Sequence, residues 1–524
     1  MVKKQKIMII VMVSLFAVLT LLYFLVFAPL LQKKTEEATP TVEPPTLLEG
    51  EQLDKDDGQT ILMFPYAERK EMKSIEVINQ YGSFICYRSE EDDNFYFKDH
   101  EQAPLSADTL ASLVVSAGYT GTVERVTEKC DNWDMYGLGE NDEPAYYKLT
   151  LLDGTTHEIY IGDLIKSGGG YYARYKGRDA LYVLSNTIQG SLLVPLETLV
   201  TPYIGMLMDQ QTYALTDEFI LLKNGETFVY ITYDKSTQDS GESVYSVYNM
   251  HYPGQYTVND SKYTEVLLTF CNLQGAATVK VGSVNKMLHE DEELMAQYGF
   301  ENVSNAPYEL YYRYGDQDSL ILFAPSGIEG YYFAYSYLYN LIALVESSSV
   351  PYLEWNTKEF ISDQLFHESI NDVYDIEISG VITNGAGVVE KEIDETFNLR
   401  GTGNDIIITP ESTGKAFSTD LIRNFKQFYM VMLLVEIQGY MKNEGVDNYD
   451  DLEEIACVKV TMDDGSILEY KYYSYSARRC YVTVNGEGEF YVNKKDVFKM
   501  LCDANRAANG LTVDKNMEYS DYVD

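Results

Sequence analysis

Tyr136-Gly137-Leu138, then Pro144, then Tyr147-Lys148-Leu149-Thr150-Leu151-Leu152 closing in Asp153-Gly154, is a stretch that returns. Tyr298-Gly299-Phe300, Pro307 and the run Tyr308 to Tyr314 repeat its order, and Tyr449 to Gly465 is a fainter third echo. Copies spaced by about 150 residues lie far above solenoid periods, so each copy is expected to be a small α+β domain rather than one blade of a closed ring. Gly supplies backbone freedom in the motif and Pro an extended entry to the strand that follows.

The first copy shows the grammar. Ser74–Ile78, Phe84–Arg88 and Asn94–Phe97 are short β-branched and aromatic runs separated by polar turns, which predicts an antiparallel meander. Ser106 then caps a helix with apolar positions Leu110, Leu113, Val114 and Ala117, stopped by Gly118. Strands follow at Tyr146–Leu152, His157–Ile161, Tyr171–Tyr175 and Ala180–Leu184, the first two joined by the hairpin chemistry of Asp153-Gly154. The stripe Leu192, Pro195, Leu196 and Leu199 predicts a closing helix.

The other copies keep this order. In the second, strands at Phe219–Leu222 and Thr227–Thr232 precede a helix near Thr264–Cys271, and Leu338, Leu341, Ile342 and Val345 predict the closing helix. In the third, Asp375–Ile378 precedes a helix at Leu421–Tyr429. Strands then follow at Cys457–Met462, Leu468–Tyr473 and Tyr481–Val484, with a closing helix striped by Val497, Met500, Leu501 and Ala504.

The expected architecture is therefore α+β: one amino-terminal transmembrane helix, then three tandem β-rich repeats of antiparallel sheet with about two helices each. The boundaries are a cytoplasmic tail at 1–6, the membrane helix at 7–31 and a Pro/Thr/Glu-rich linker at 32–50. Repeats follow at 51–210, 211–365 and 366–511, then an acidic tail at 512–524 with little apolar content, expected to fray. Ile7 to Leu31 is 25 residues without a charge, long enough as a helix to span the hydrocarbon core. Lys3, Lys4 and Lys6 outnumber Lys33 and Lys34, which puts the tail inside and the bulk of the chain outside. Pro40, Pro44 and Pro45 make the linker an extended stalk.

Composition limits the chemistry. A formal net charge of −41 repels phosphate backbones and excludes nucleic acid as a partner. The 46 tyrosines suit half-buried strand faces, while only two tryptophans, Trp133 and Trp355, disfavour a stacking platform. Cys86, Cys130, Cys271, Cys457, Cys480 and Cys502 show no CxxC spacing and divide unevenly among the repeats, leaving disulfides and buried single thiols both open.

No catalytic constellation recurs with the motif. His100, His157, His251, His289 and His367 never pair at ligand spacing. The window Asn132, Asp134, Tyr136, Gly137 and Glu143 imitates a calcium loop but lacks its acidic first position. Gly414-Lys415 lacks the rest of a phosphate loop, and Gly401–Gly403 and Gly486–Gly488 read as turns. Acidic pairs such as Glu292-Glu293 and Glu453-Glu454 carry little information among 81 carboxylates. No catalytic, cofactor-binding or metal-binding residue is assigned, no cofactor is expected, and the chain is not expected to be an enzyme.

The order of helix, Tyr136-Gly137-Leu138, Pro144, Asp153-Gly154, Tyr160-Ile161-Gly162-Asp163, Tyr171-Tyr172 and Leu181-Tyr182-Val183 resembles the bacterial domain-of-unknown-function 4340 family, over roughly Ile75 to Ile204. The family often has Trp in the strand before the first helix, where this chain has Phe95 and Tyr96, and the later copies match it poorly. The resemblance implies one amino-terminal membrane helix, an extracytoplasmic body and genes beside ABC-type export permeases of the gliding-motility type. It supplies no catalytic residues. The leading expectation is a membrane-anchored interaction or accessory module whose partners are the membrane, through residues 7–31, and an ABC-type permease, with any small-molecule ligand unknown. The alternative is a cell-wall or glycan-directed binder or hydrolase. An adhesin or filament subunit is held in reserve.

Overall fold

The computed structural model describes residues 45–208, 215–235, 246–254, 256–301, 306–441 and 449–522. The expected cytoplasmic tail and membrane helix, and most of the linker, lie outside the described residues. Among the described residues no helix is long and apolar enough to cross a membrane.

A two-stranded pair, β1 (Gln52–Leu53) and β2 (Ile61–Leu62), comes first. The first repeat then contains β3 (Met72–Asn79), β4 (Gly82–Arg88), β5 (Phe95–Phe97), helix α1 (Ala107–Gly118) and β6 (Thr122–Thr127). It continues with β7 (Ala145–Leu151), β8 (Thr156–Leu164), β9 (Gly170–Tyr175), β10 (Leu181–Ser185) and the one-turn α2 (Leu196–Leu199). The second repeat contains β11 (Glu218–Lys223), β12 (Glu226–Tyr233), β13 (Tyr248–Tyr252), α3 (Asp260–Cys271), β14 (Ala277–Val281) and α4 (Glu292–Gln297). Its meander is β15 (Tyr308–Tyr314), β16 (Gln317–Pro325), β17 (Tyr331–Ser336) and β18 (Leu341–Glu346). The third contains β19 (Val373–Thr383), β20 (Val389–Arg400), β21 (Ile407–Pro410), α5 (Thr419–Leu433) and β22 (Ile437–Tyr440). It ends in β23 (Glu453–Met462), β24 (Ile467–Ser474), β25 (Arg479–Val484), β26 (Glu487–Asn493) and α6 (Lys494–Ala508).

Each repeat builds one eight-stranded antiparallel sheet, and in all three the order, numbered within the repeat, is 3-2-1-5-6-7-8-4. Three strands run out as a meander, a helix carries the chain back, the fourth strand takes the far edge, and a second meander fills the centre. The chain divides into two compact units, one of Met1–Gln80 with Leu113–Leu193 and one of Tyr81–Ser112 with Val194–Asp524.

Within the first unit, alternation sets the inner face: Met72, Ile75 and Val77 of β3 are buried beside Tyr147 and Leu149 of β7. A register shift between Met72 and Ser74 accounts for the missing alternate residue. Asp153 Oδ1 accepts the Thr155 amide at 2.8 Å, and Gly154 takes φ +89, so the hairpin chemistry is the one the dipeptide predicts. Within the second unit, Tyr263 of α3 packs edge-on against Phe219 of β11, their centroids 5.6 Å apart. Farther on, α5 lies along α6, which covers β19 and β20.

Three expectations are corrected. Leu341, Ile342 and Val345 belong to β18 and not to a closing helix, and Leu338 lies in the turn before it. Both faces of β18 are covered, so its unbroken apolar run satisfies a helical stripe equally well. The closing helix of the first repeat shrinks to α2, because Leu192 and Pro195 precede it in non-helical backbone. The acidic tail is held down through Tyr522. Arg506 Nε donates to the Thr512 carbonyl at 2.9 Å, its guanidinium lies 3.9 Å over the Tyr522 ring, and Lys495 pairs with Glu518 at 3.2 Å. Cations along α6 thus give the tail the partners that its composition lacks.

Candidate functional site

The recurring motif is a plug on the second face of each sheet. Residues Trp133–Tyr136 form one 3-10 turn that ends at Gly137, whose φ of +64 stops it, and Leu138 drops into the core. Tyr298-Gly299-Phe300 ends α4 in the same way, with Gly299 at φ +83. Phe300 joins Leu288, Met295, Leu322, Ala324, Tyr335 and Ile342 in one apolar cluster.

Sheet register aligns the contacts that the plug makes. Ile161, Phe323 and Tyr472 pair with Ala173, Ala334 and Val482, so Tyr172, Phe333 and Tyr481 occupy equivalent places. Tyr136 meets Tyr172 at 4.7 Å between centroids, Tyr298 meets Phe333 at 5.2 Å, and Tyr449 meets Tyr481 at 5.4 Å. The faint third echo is therefore a true structural copy. Under the plug the first repeat has Gly162 and the second Ala324, whereas the third has Tyr473, whose ring lies 4.8 Å from that of Tyr449.

Among the described residues, the polar groups at Lys223, at His157 and in the cleft of the third repeat do not recur in this way. Lys223, at the end of β11, donates to the Trp355 carbonyl at 2.6 Å and sits 3.6 Å over the Phe228 ring. Burial outweighs the nearby Glu354 and Glu359 carboxylates and pulls the amine down to about 8. Glu354 accepts hydrogen bonds from the Tyr308 and Tyr332 hydroxyls, each at 2.6 Å, which lower its pKa and push Tyr332 up to about 12, the latter with burial as the larger cause. Lys223 pairs with Tyr308, and in the third sheet the matching pair is Gly380 with Ala456, so the amine has no counterpart there.

The five histidines are dispersed. His157 stacks on Phe64 at 3.9 Å and shares a 3.0 Å hydrogen bond with the Tyr175 hydroxyl. Burial, then Arg178, lowers its pKa. It lines a groove of about 620 Å³ with Pro65, Tyr66, Leu151 and Leu152. His100 bonds the Gly282 carbonyl, His251 the Thr232 hydroxyl, His289 the Tyr335 hydroxyl and His367 the Gln364 carbonyl.

The remaining sequence candidates are also local structure. Asn132 precedes the plug turn, and Asp142 accepts the Gly139 amide at 2.7 Å. Among the described residues no group of three His, Cys, Asp or Glu side chains could hold a metal ion. Glu292 and Glu293 form the first turn of α4, and Glu453 and Glu454 open β23. The thiols of Cys130, Cys457 and Cys480 are free, and burial raises the pKa values of Cys457 and Cys480.

The third repeat carries a cleft of about 590 Å³ between the β19–β20 hairpin, the β24–β25 turn and the start of α6. Arg478, Lys494 and Lys495 line it, and Glu453 is its one carboxylate. A pair of carboxylates flanking a glycosidic bond is thus not assembled in this cleft. Sequence reading passed over Lys223 and this cleft. The basic doublets Arg478-Arg479 and Lys494-Lys495 were the available signal in so acidic a chain, but only folding brings them together.

Fold and site together define a tandem protein of antiparallel sheets, each plugged on its second face by an aromatic turn. Residues 96–284 match the family described as "Domain of unknown function (DUF4340)". The match takes in β5 to β14 and so runs past the first repeat into the second, farther than the resemblance over Ile75 to Ile204. No curated protein matches the chain, and no solved structure does.

Proposed function

We propose that this chain is a membrane-tethered extracytoplasmic interaction module that serves as the outer accessory part of an ABC-type export system. The observation that carries the reading is repetition of architecture without repetition of chemistry. The aromatic plug is kept in three copies, while Lys223, His157 and the basic cleft each belong to one copy. Side chains that diverge on a fixed frame suit a scaffold whose faces have separate partners. The uncharged run Ile7–Leu31, the Pro-rich linker and the family resemblance support the tether and the choice of partner.

Affinity purification of the tagged full chain from gently solubilised membranes tests this. A permease and its ATPase should co-purify at fixed stoichiometry. Repeated recovery of the chain with neither would refute the assignment.

A further inference from the structure

We propose that the cleft of the third repeat binds a small organic phosphomonoester. Three cations, Arg478, Lys494 and Lys495, face one carboxylate, Glu453, in a chain whose net charge is −41. The lining holds more cations than carboxylates even though Glu518, outside it, pairs with Lys495, and this positive excess suits a phosphomonoester, which carries about −1.5 to −2 near neutral pH. Such a concentration of cations costs nothing to solvate on a surface, but in a concave site it focuses potential on an anion.

The donors differ in readiness. The Arg478 side chain is exposed and has no ion pair among the described residues, leaving its planar fork open to two phosphate oxygens. Lys494 Nζ is held at 2.6 Å from the Ser474 hydroxyl, a neutral acceptor that an anion would replace with gain. Lys495 is shared with Glu518 at 3.2 Å. The amino end of the 15-residue α6 opens on the same cleft and adds its partial positive charge. Its first amide is already occupied by the Arg478 carbonyl at 2.9 Å, so the side chains carry the recognition.

The volume separates an ester from the bare ion. A cleft of about 590 Å³ exceeds what inorganic phosphate fills, and Tyr519 and Ile455 offer apolar wall to an attached organic body. The acidity of the rest of the chain opposes approach to an anionic bilayer, which favours a soluble ester over a lipid headgroup.

The test uses the full chain in a non-ionic detergent, with glycerol 3-phosphate, inorganic phosphate and phosphatidic acid vesicles as probes at fixed ionic strength. Calorimetry should find saturable binding of glycerol 3-phosphate, tighter than that of inorganic phosphate. Arg478→Ala should weaken it by about tenfold or more, the loss of a charged hydrogen-bonding partner, with Arg478→Lys in between. Because Arg478 is exposed, the unliganded variants should melt with the parent, and Lys494→Ala provides a second loss of binding. Absence of saturable binding, or binding indifferent to both Arg478→Ala and Lys494→Ala, would overturn the proposal. Capture by vesicles without binding of glycerol 3-phosphate would overturn its soluble-ester form.

Discussion

Gly162→Ala tests whether the Tyr-Gly-Leu turn is a plug seated on β8. An alanine Cβ at this position would fall inside the van der Waals shell of the Tyr136 carbonyl oxygen, 2.8 Å from Leu138 Cγ and 3.0 Å from the Gly137 carbonyl oxygen. Two of these neighbours are backbone and cannot rotate away, so the turn must lift. Overpacking of this kind costs about 1–3 kcal/mol. The lower backbone entropy of an unfolded alanine chain returns about 0.5–1 kcal/mol of that. A net loss near 1–2 kcal/mol corresponds to roughly a fivefold to thirtyfold larger open population. Native-state hydrogen exchange reads this locally, and the Leu138 amide, which donates to the Trp133 carbonyl at 3.2 Å, is the reporter. Gly154→Ala is the comparator: its φ of +89 imposes strain of about 1–2 kcal/mol, but nothing lies within 4 Å of the added carbon. Exchange should therefore rise at the plug turn in Gly162→Ala and at the β7–β8 hairpin in Gly154→Ala. Protection of the Leu138 amide unchanged within about twofold in Gly162→Ala would refute the seating of the turn on β8.

Two further outcomes follow from titratable groups. Acetylation of Lys223, followed site by site by mass spectrometry, should reach half its maximal rate near pH 8, where burial has placed its pKa, while the exposed Lys70, Lys176 and Lys286, each raised by hydrogen bonding to a carboxylate, respond at higher pH. Because the folded pKa lies below the unfolded one, Lys223 stabilises the fold most above pH 10.5, and that contribution declines as the pH falls towards 8; a profile matching the exposed lysines would contradict its burial. His157 has the same sign, since its pKa is lowered from 6.5 by burial and by Arg178, with Asp153 opposing. Its contribution is present above pH 6.5 and is lost as the pH falls through that value, when the unfolded chain takes up a proton first. The difference in denaturant stability between the parent and His157→Gln should shrink on acidification, and a difference constant from pH 7.5 to 5 would count against it.

Legibility varied with how local the cause was. The hairpin at Asp153-Gly154 was readable because a turn residue and alternating strands are neighbours in sequence. Helix α1 was readable because Ser106 caps it, its hydroxyl accepting the Thr109 amide at 3.1 Å, and its apolar positions keep one face. The crossover strands β6, β14 and β22 went unread. β6 buries one residue of six, so its sequence holds no alternation, and it exists because β10 offers it an edge. For β18 the error ran the other way, since a strand covered on both faces loses the period that marks a strand.

By itself the sequence determined that three copies of one unit follow an uncharged run and a proline-rich linker, since repetition, length and charge are properties of the chain alone. Tertiary structure decided what the copies are for one another's atoms. It set the strand order, because pairing partners are distant in sequence. It turned the recurring Tyr into a plug, because only register gives Tyr136, Tyr298 and Tyr449 partners, Tyr172, Phe333 and Tyr481, at the same strand position. It also gathered Arg478 and Lys494 from opposite ends of a hairpin into one cleft, since electrostatic focusing depends on distance through space and not along the chain.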